Sequence, residues 1–287
     1  MGVVRLRRSF MFTPGNQPER LKKAVTLACD AIIFDLEDAV PPAEKDAGRA
    51  AVAEALQHLE FGRRERGVRI NPISGPYGRG DLMAVAPFAF DWVMLPKAED
   101  AAQVTQVAQL LQAAGSTAAI IPLVETARGL LAVEAICAAP RVTAVCFGAV
   151  DYSLDTGCAQ EHEALLYARS RVVAAARAAM VDPIDTPYML ADDPEGLERE
   201  SVYASRLGFT GKLVIHPAQI APVHRAFTPD PAAVAQARAI VQAYREAEQS
   251  GKGAILVGGQ LVDAPVVARA ERVIALSEAA AAAGEGS

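Results

Sequence analysis

Cysteine is scarce in this sequence. Cys29, Cys137, Cys146 and Cys158 are four residues in 287, and no two of them form a CxxC pair. That spacing argues against a thiolate zinc site. Cys29, Cys137 and Cys146 lie in apolar runs and read as small core hydrophobes of a reducing compartment. No apolar run approaches the roughly 18 residues of a membrane-spanning helix, and no signal-peptide pattern precedes Arg5. The expectation is a cytoplasmic protein with no membrane partner. Long Lys/Arg runs are also missing, and the net charge is -6, so nucleic acid is not the expected partner. The short cluster Arg5-Leu6-Arg7-Arg8 reads equally well as the solvated start of a first strand. No Ser-His-Asp or Cys-His set stands out, and there is no internal repeat or interdomain linker.

What is present is a large apolar fraction, 52% hydrophobic against 22% charged, which calls for a sizeable core. Short apolar runs alternate with longer helical patterns. The candidate strands are Ser9–Thr13, Ala31–Leu36, Gly67–Asn71, Trp92–Leu95, Ala118–Val124, Ala144–Gly148, Pro183–Thr186 and Lys212–Ile215. Helical patterns follow them, among them Glu19–Cys29, Ala43–Leu59 and Ala101–Ala113. Near-continuous apolar strands suit a parallel sheet covered on both faces. Eight β-α units predict an α/β fold of the TIM (β/α)8 barrel type over 1–217. A doubly wound sheet is the alternative, but it calls for a glycine-rich phosphate loop after its first strand, and Pro14-Gly15-Asn16 falls short of one. Residues 218–287 form a C-terminal helical and hairpin extension completing the same domain. It contains a helix over Ala232–Gln249, a hairpin over Gly253–Asp263 turning at Gly258-Gly259, a helix over Val266–Ala282 and a frayed terminus. A tail past a complete barrel reads as a lid, an oligomerisation arm, or both.

Active sites of such barrels lie at the carboxyl ends of the strands, so polar residues there carry the functional reading. Strand two ends in Asp35-Leu36-Glu37-Asp38, and strand three carries Arg69 and ends in Asn71. Strand four ends in Pro96-Lys97, five in Glu125, six in Asp151, seven in Asp185 and eight in His216-Pro217. Glu125 and Asp151, on neighbouring strands, can share one hard cation. Oxygen ligands without Cys select Mg²⁺, with Mn²⁺ as the alternative. The competing reading has each carboxylate capping the following helix. Alternation along strand two sends Asp35 and Glu37 to one side and Asp38 to the other. There they can hold waters around a metal, unless Asp38 caps the next helix. A buried Arg69 needs an anion: a substrate carboxylate, the Asp35/Glu37 group, or both. Lys97 either binds an anion or pairs with Glu125. His216 reads first as structural, and His58, His162 and His224 as surface residues of amphipathic helices.

The motifs taken together carry more than any one of them. Arg8-Ser9, Phe12-Thr13-Pro14-Gly15-Asn16, Phe34-Asp35-Leu36-Glu37-Asp38-Ala39-Val40, Val68-Arg69-Ile70-Asn71, Leu95-Pro96-Lys97 and Val124-Glu125-Thr126 occur in order. Gly148-Ala149-Val150-Asp151-Tyr152, Gly208-Phe209-Thr210-Gly211-Lys212, Ile215-His216-Pro217 and Gly251-Lys252-Gly253 continue the series. From about residue 7 to residue 275 the chain resembles the citrate lyase β-subunit (CitE-like) family within the HpcH/HpaI aldolase group. The resemblance implies a Mg²⁺-dependent lyase that splits a 3-hydroxyacyl-CoA of the citryl-, malyl- or citramalyl-CoA type into acetyl-CoA and a 2-oxo acid. By matching position it implies Glu125 and Asp151 as metal ligands and Arg69 as the binder of the substrate carboxylate. Phe12, Lys23, Ile215 and His216 fall at contacts to coenzyme A. Glu19 stands where relatives carry a CoA-contacting Lys. Asp263 matches an acid/base aspartate supplied by the lid of a neighbouring subunit, which implies a homo-oligomer, commonly a trimer. From the residues alone, Asp263 reads as an N-cap, since Ala264-Pro265 follows it.

Two other functions fit parts of the pattern. A metal-dependent 2-oxo-acid aldolase of the same group would carry His where Asp38 stands. A citrate lyase β-chain would act on an acyl-carrier thioester in the company of partner chains.

Overall fold

The computed structural model describes residues 6–249 and 253–284. Arg5 of the basic cluster and Gly251-Lys252 of the last motif lie outside the described residues. The chain divides into two compact units, Arg7–His224, and Arg225–Ser287 with Met1–Leu6. The division falls inside the helix Ile220–Phe227, later than the 217–218 boundary expected from sequence.

The first unit is a closed barrel of parallel strands in chain order. The strands are β1 (Ser9–Pro14), β2 (Ala31–Asp35), β3 (Glu65–Arg69), β4 (Trp92–Leu95), β5 (Ala119–Val124), β6 (Ala144–Phe147), β7 (Asp182–Asp185) and β8 (Gly211–Val214). β8 pairs back to β1, with Leu213 opposite Phe10. Closure leaves no edge to pair with another chain. The strands are almost wholly buried because helices cover their outer face while side chains fill the lumen. The interior is a packed core of alternate strand residues, including Phe10, Ile33, Trp92, Met94, Ile121, Leu123, Cys146 and Leu213.

The amino end of the barrel is closed by charge as well as by bulk. Glu65, at the start of β3, accepts Trp92 Nε1–H at 2.7 Å and Arg7 Nε–H at 3.0 Å. Arg7 also donates to the carbonyl of Thr143 at 2.9 Å and to Asp182 at 3.3 Å. The polar start of β3 thus belongs to the strand, which runs two residues earlier than expected and stops at Arg69 rather than Asn71. A further buried group joins Asp185 to Arg169 at 2.8 Å and to Lys212 at 2.6 Å, so Asp185 is committed to ion pairs at the end of β7. His224 corrects another expectation. It is buried, and its Nε2 lies 2.7 Å from Ser9 Oγ and 3.7 Å from Asp30. Its helix turns that face inward. His58 and His162 are exposed as expected. The helix after β1 is shorter than expected, Pro18–Ala24.

The second unit holds the helix Pro231–Gln249, β9 (Ile255–Val257), β10 (Gln260–Val262) and the helix Ala264–Ala282. β9 and β10 form the expected antiparallel hairpin, with Gly258 and Gly259 at φ 57° and 83°. Such positive φ at both turn positions suits glycine. Ala237, Ile240 and Val241 pack with Val262, Val267 and Ala270 to form this unit's own core. Among the described residues, no helix is long and apolar enough to cross a membrane.

The barrel packing makes a sharp prediction at Gly67. A Cβ there would lie 1.9–2.4 Å from the indole of the fully buried Trp92. Gly67→Ala is expected to lower unfolding free energy by roughly 1–3 kcal/mol, the usual cost of overpacking a core. Denaturant unfolding checks this, and wild-type stability in the variant would show that the ring can move aside.

Candidate active site at the carboxyl ends of the strands

A cavity of about 680 Å³ opens at the carboxyl ends of the strands. It is lined by Phe12, Lys23, Asp35, Asp38, Arg69, Glu125, Asp151, Ile215 and His216, among others. Nine of the residues selected from sequence therefore share one cavity of the barrel unit. Glu37 is not on its wall but touches Arg69 from behind. Asp263 belongs to the other unit, where it N-caps the helix Ala264–Ala282 and accepts Val266 N–H at 3.3 Å.

Asp35 is the last residue of β2, and Arg69 the last of β3 opposite it. Arg69 Nε and Nη2 each donate to the Asp35 carboxylate at 2.7 Å, in fork-to-fork geometry. The same carboxylate accepts the backbone N–H of Glu37 at 2.9 Å and of Ala39 at 3.2 Å. The chain therefore leaves the strand at Asp35 in a tight turn, and strand alternation does not apply beyond it. Glu37 and Asp38 both face Arg69 Nη1, at 2.9 and 3.5 Å. This corrects the expectation that they point to opposite sides. The Glu37 contact is one of charge, since its Oε2 lies outside hydrogen-bond geometry and has no other partner. Burial, first, and the neighbouring carboxylates push the Glu37 carboxyl up to about 8, against the pull of Arg69. Arg69 stacks on Phe12, with its Cζ 4.7 Å from the ring centroid. Burial works against its charge, but Asp35 and then Glu37 hold its pKa above the ordinary guanidinium value. The ion-pair reading of Arg69 is realised, with Asp35 in its fork. Asp38 does not cap a helix; the residue before the next helical turn is Pro41.

Glu125 directly follows β5 and is buried. It does not cap the helix Ala127–Leu131, because Thr126 does so by accepting Gly129 N–H at 3.0 Å. Glu125 instead accepts the backbone N–H of Lys97 at 2.8 Å. Lys97 holds the left-handed conformation, φ 47°, which is costly for a side-chain-bearing residue. The contact is thus made by the Lys97 main chain, while its side chain is exposed. Gly148, at the end of β6, makes room for the carboxylate: a Cβ there would lie 2.7 Å from Glu125 Oε2. Asp151 sits in the first turn of the helix Ala149–Thr156 rather than at the strand end itself, and Thr186 Oγ accepts Ala149 N–H at 3.0 Å. Burial pushes the Glu125 carboxyl up to about 7, partly relieved by the Lys97 N–H and reinforced by the charge of Asp151. A buried carboxylate beside a second one is unfavourable without a cation. Among the described residues, no three His, Cys, Asp or Glu side chains form a metal cage. Two carboxylates suit Mg²⁺, which keeps waters and substrate oxygens as its remaining ligands.

His216 fits its structural reading, since its Nδ1 accepts Ala218 N–H at 3.3 Å at the start of the turn Pro217–Gln219. It also reaches the cavity wall. Arg20 and Thr186 line the cavity without having been singled out from sequence. The signal for Arg20 was its helical spacing, three residues before Lys23 on the same face of the helix Pro18–Ala24. Lys45 was also missed. It is buried, and its ammonium donates to the carbonyls of Leu36 and Glu37 at 2.7 and 2.8 Å and to Asn71 Oδ1 at 2.8 Å. It thereby fixes the acidic turn after β2, and nothing in its helical context marked it as inward-facing.

Known proteins resemble this chain over most of its length. The family model described as HpcH/HpaI aldolase/citrate lyase matches residues 8–217. Citrate lyase subunit beta of Leuconostoc mesenteroides subsp. cremoris is 39% identical, over 97% of this chain and 96% of its own. Mitochondrial citramalyl-CoA lyase of Rattus norvegicus is 34% identical, over 94% of this chain and 86% of its own. The crystal structure of protein CitE from Mycobacterium tuberculosis, in complex with magnesium, acetoacetate and coenzyme A, superposes with a TM-score of 0.82 at 34% identity, covering 96% of this chain and 100% of that one. With this match over most of its length, and with its closed eight-stranded barrel, the chain belongs to the HpcH/HpaI aldolase/citrate lyase family.

Proposed function

We propose that the chain is a Mg²⁺-dependent carbon–carbon lyase. It splits a 3-hydroxyacyl-CoA of the citryl-, malyl- or citramalyl-CoA type into acetyl-CoA and a 2-oxo acid. The observation that carries this reading is the buried Glu125, seated against Gly148 beside Asp151, in the same cavity as Arg69, Phe12, Lys23, Ile215 and His216. The relatives named as lyases, and the neighbour bound to magnesium and coenzyme A, support it.

Glu125 and Asp151 hold the cation. When bound, Mg²⁺ supplies positive charge to the substrate's hydroxyl and adjacent carboxylate oxygens. Arg69 meets the substrate carboxylate through Nη1, which Asp35 does not engage and which Glu37 and Asp38 flank. Asp35 holds that guanidinium in place, and Glu37 and Asp38 tune the charge around it. Phe12, Lys23, Ile215 and His216 contact the coenzyme portion. As the carbon–carbon bond breaks, the substrate hydroxyl gives up its proton to solvent and becomes the carbonyl of the 2-oxo acid, while the acetyl thioester carbon carries off the electron pair and must be protonated. Asp263 delivers that proton from the lid of a second copy of the chain, in a homo-oligomer that is a trimer.

A second reading is favoured by the relative named a subunit of citrate lyase. On it, the thioester is carried by an acyl-carrier partner rather than by free coenzyme A, with the same residues in the same roles.

Purified protein with Mg²⁺ is expected to release acetyl-CoA and a 2-oxo acid from one of citryl-, malyl- or citramalyl-CoA, and to stop on addition of EDTA. Inactivity on all three, with metal bound, would transfer the proposal to the acyl-carrier thioester. Release of free CoA without a 2-oxo acid would replace cleavage of the carbon–carbon bond by thioester hydrolysis. Asp151→Ala is expected to weaken Mg²⁺ binding by roughly 100-fold or more, given that even residues behind the ligands matter 10–100-fold. Calorimetry measures it, and unchanged affinity removes Asp151 from the metal site. Asp263→Ala is expected to lower kcat on the order of 10²–10⁴-fold, the range for a general acid, while leaving the affinity for CoA in place. The loss of its N-cap costs about 1 kcal/mol, too little to unfold the chain, so a fall in kcat at unchanged CoA affinity separates the two roles.

A further inference from the structure

Gln219 lies behind the cavity wall, 2% exposed and not among the lining residues. Its side-chain amide nevertheless makes three hydrogen bonds to the main chain. Oε1 accepts the backbone N–H of Ile215 at 2.9 Å and of His216 at 3.3 Å. Nε2 donates to the backbone carbonyl of Tyr188 at 2.8 Å. All three partners are main-chain groups with fixed donor or acceptor character, so the amide has one consistent orientation. The amide therefore joins two separate stretches of chain, the one leaving β8 at Ile215-His216 and the one leaving β7 through Pro187, Tyr188 and Met189. Both contribute to the cavity wall.

The β7 stretch has two other anchors, made by side chains. Thr186 accepts Ala149 N–H, and the Tyr188 hydroxyl donates to Asp193, the N-cap of the helix Pro194–Leu207. Met189, next to Tyr188, is 52% exposed. The Gln219–Tyr188 bond ties the main chain of this stretch directly to the β8 stretch, beyond the last strand pairing at Asp185 and Lys212.

We propose that Gln219 is a positioning residue for the coenzyme side of the cavity. Its amide sets the distance between the β7 and β8 exits, and through it the affinity for the coenzyme portion of the thioester. The inference rests on the lyase reading above, in which Ile215 and His216 contact that portion. Metal binding at Glu125 and Asp151, on the β5 and β6 side, does not depend on this amide.

The test is Gln219→Met, which keeps the length of the side chain and removes its hydrogen bonds. Full-length wild type and variant are titrated by calorimetry with coenzyme A alone and, separately, with Mg²⁺. The Kd for coenzyme A is expected to rise about tenfold, the equivalent of one or two positioning hydrogen bonds, with the Mg²⁺ Kd unchanged. A residue that merely supported the fold would lower the melting temperature and leave the coenzyme Kd alone, and that result overturns the inference. So does an equal loss of both affinities, which would mean general loosening of the barrel. Wild-type protein that binds no coenzyme A overturns the lyase reading and this inference with it, whereas wild-type binding with an unaffected variant overturns this inference alone. If the Met variant does not fold, Gln219→Glu is read in the same way. It keeps the acceptor for Ile215 and His216 and removes the donor to Tyr188.

Discussion

Parallel strands closed into a barrel bring their carboxyl ends together, and in this chain those ends carry acid. Asp35, Asp38, Glu125 and Asp151 line the cavity, and Glu37 stands behind Arg69. Carboxylates so placed repel each other and resist burial, so the arrangement depends on cations. Arg69 serves three of them, gripped by Asp35 and flanked by Glu37 and Asp38. For Glu125, burial and the Asp151 charge raise the carboxyl far above its ordinary range. The rest of the rim follows from this imbalance. Lys97 accepts a costly backbone conformation to point an N–H at Glu125, Gly148 gives up a side chain to admit it, and Lys45 pins the acidic turn through its carbonyls.

Much of this was legible in the sequence because buried parallel strands are nearly continuous apolar runs. All eight barrel strands were placed within two residues of their bounds, and Trp92–Leu95 without error. The start of β3 was obscured because Glu65 and Arg66 look like loop residues. In the structure Glu65 is the polar plug that Arg7 and Trp92 require. The rim carboxylates were found because the fold dictates where to look. Their directions were not, since alternation holds only while the chain remains a strand, and it stops being one at Asp35. His224 shows a related limit: periodicity marks a helix as two-faced, but which polar residue is drawn inward depends on a partner, here Ser9, far away in the chain. Gln219 and Lys45 could not be found from spacing, because the partners of Gln219 and two of the three of Lys45 are main-chain atoms that no side-chain pattern records.

The two ends of the barrel use polar groups differently. At the amino end, Arg7, Glu65, Trp92 and Asp182 satisfy one another, and the network is closed. At the carboxyl end, Glu37 Oε2 has no hydrogen-bond donor and Glu125 has a single N–H. Incomplete satisfaction is expensive in a protein interior. Its concentration at one end marks the place where the chain is built to receive something else.

The separation of a satisfied floor from an unsatisfied rim has a consequence for how such a protein can diversify. The floor network is made by residues near the beginnings of β1, β3, β4 and β7, and none of them reaches the cavity wall. Rim loops can therefore be exchanged, lengthened or recoded without withdrawing a partner from the floor. Gly148 sets the limit of that freedom: every side chain larger than hydrogen at that one position intrudes on Glu125. In a library built on this scaffold, position 148 has to stay glycine.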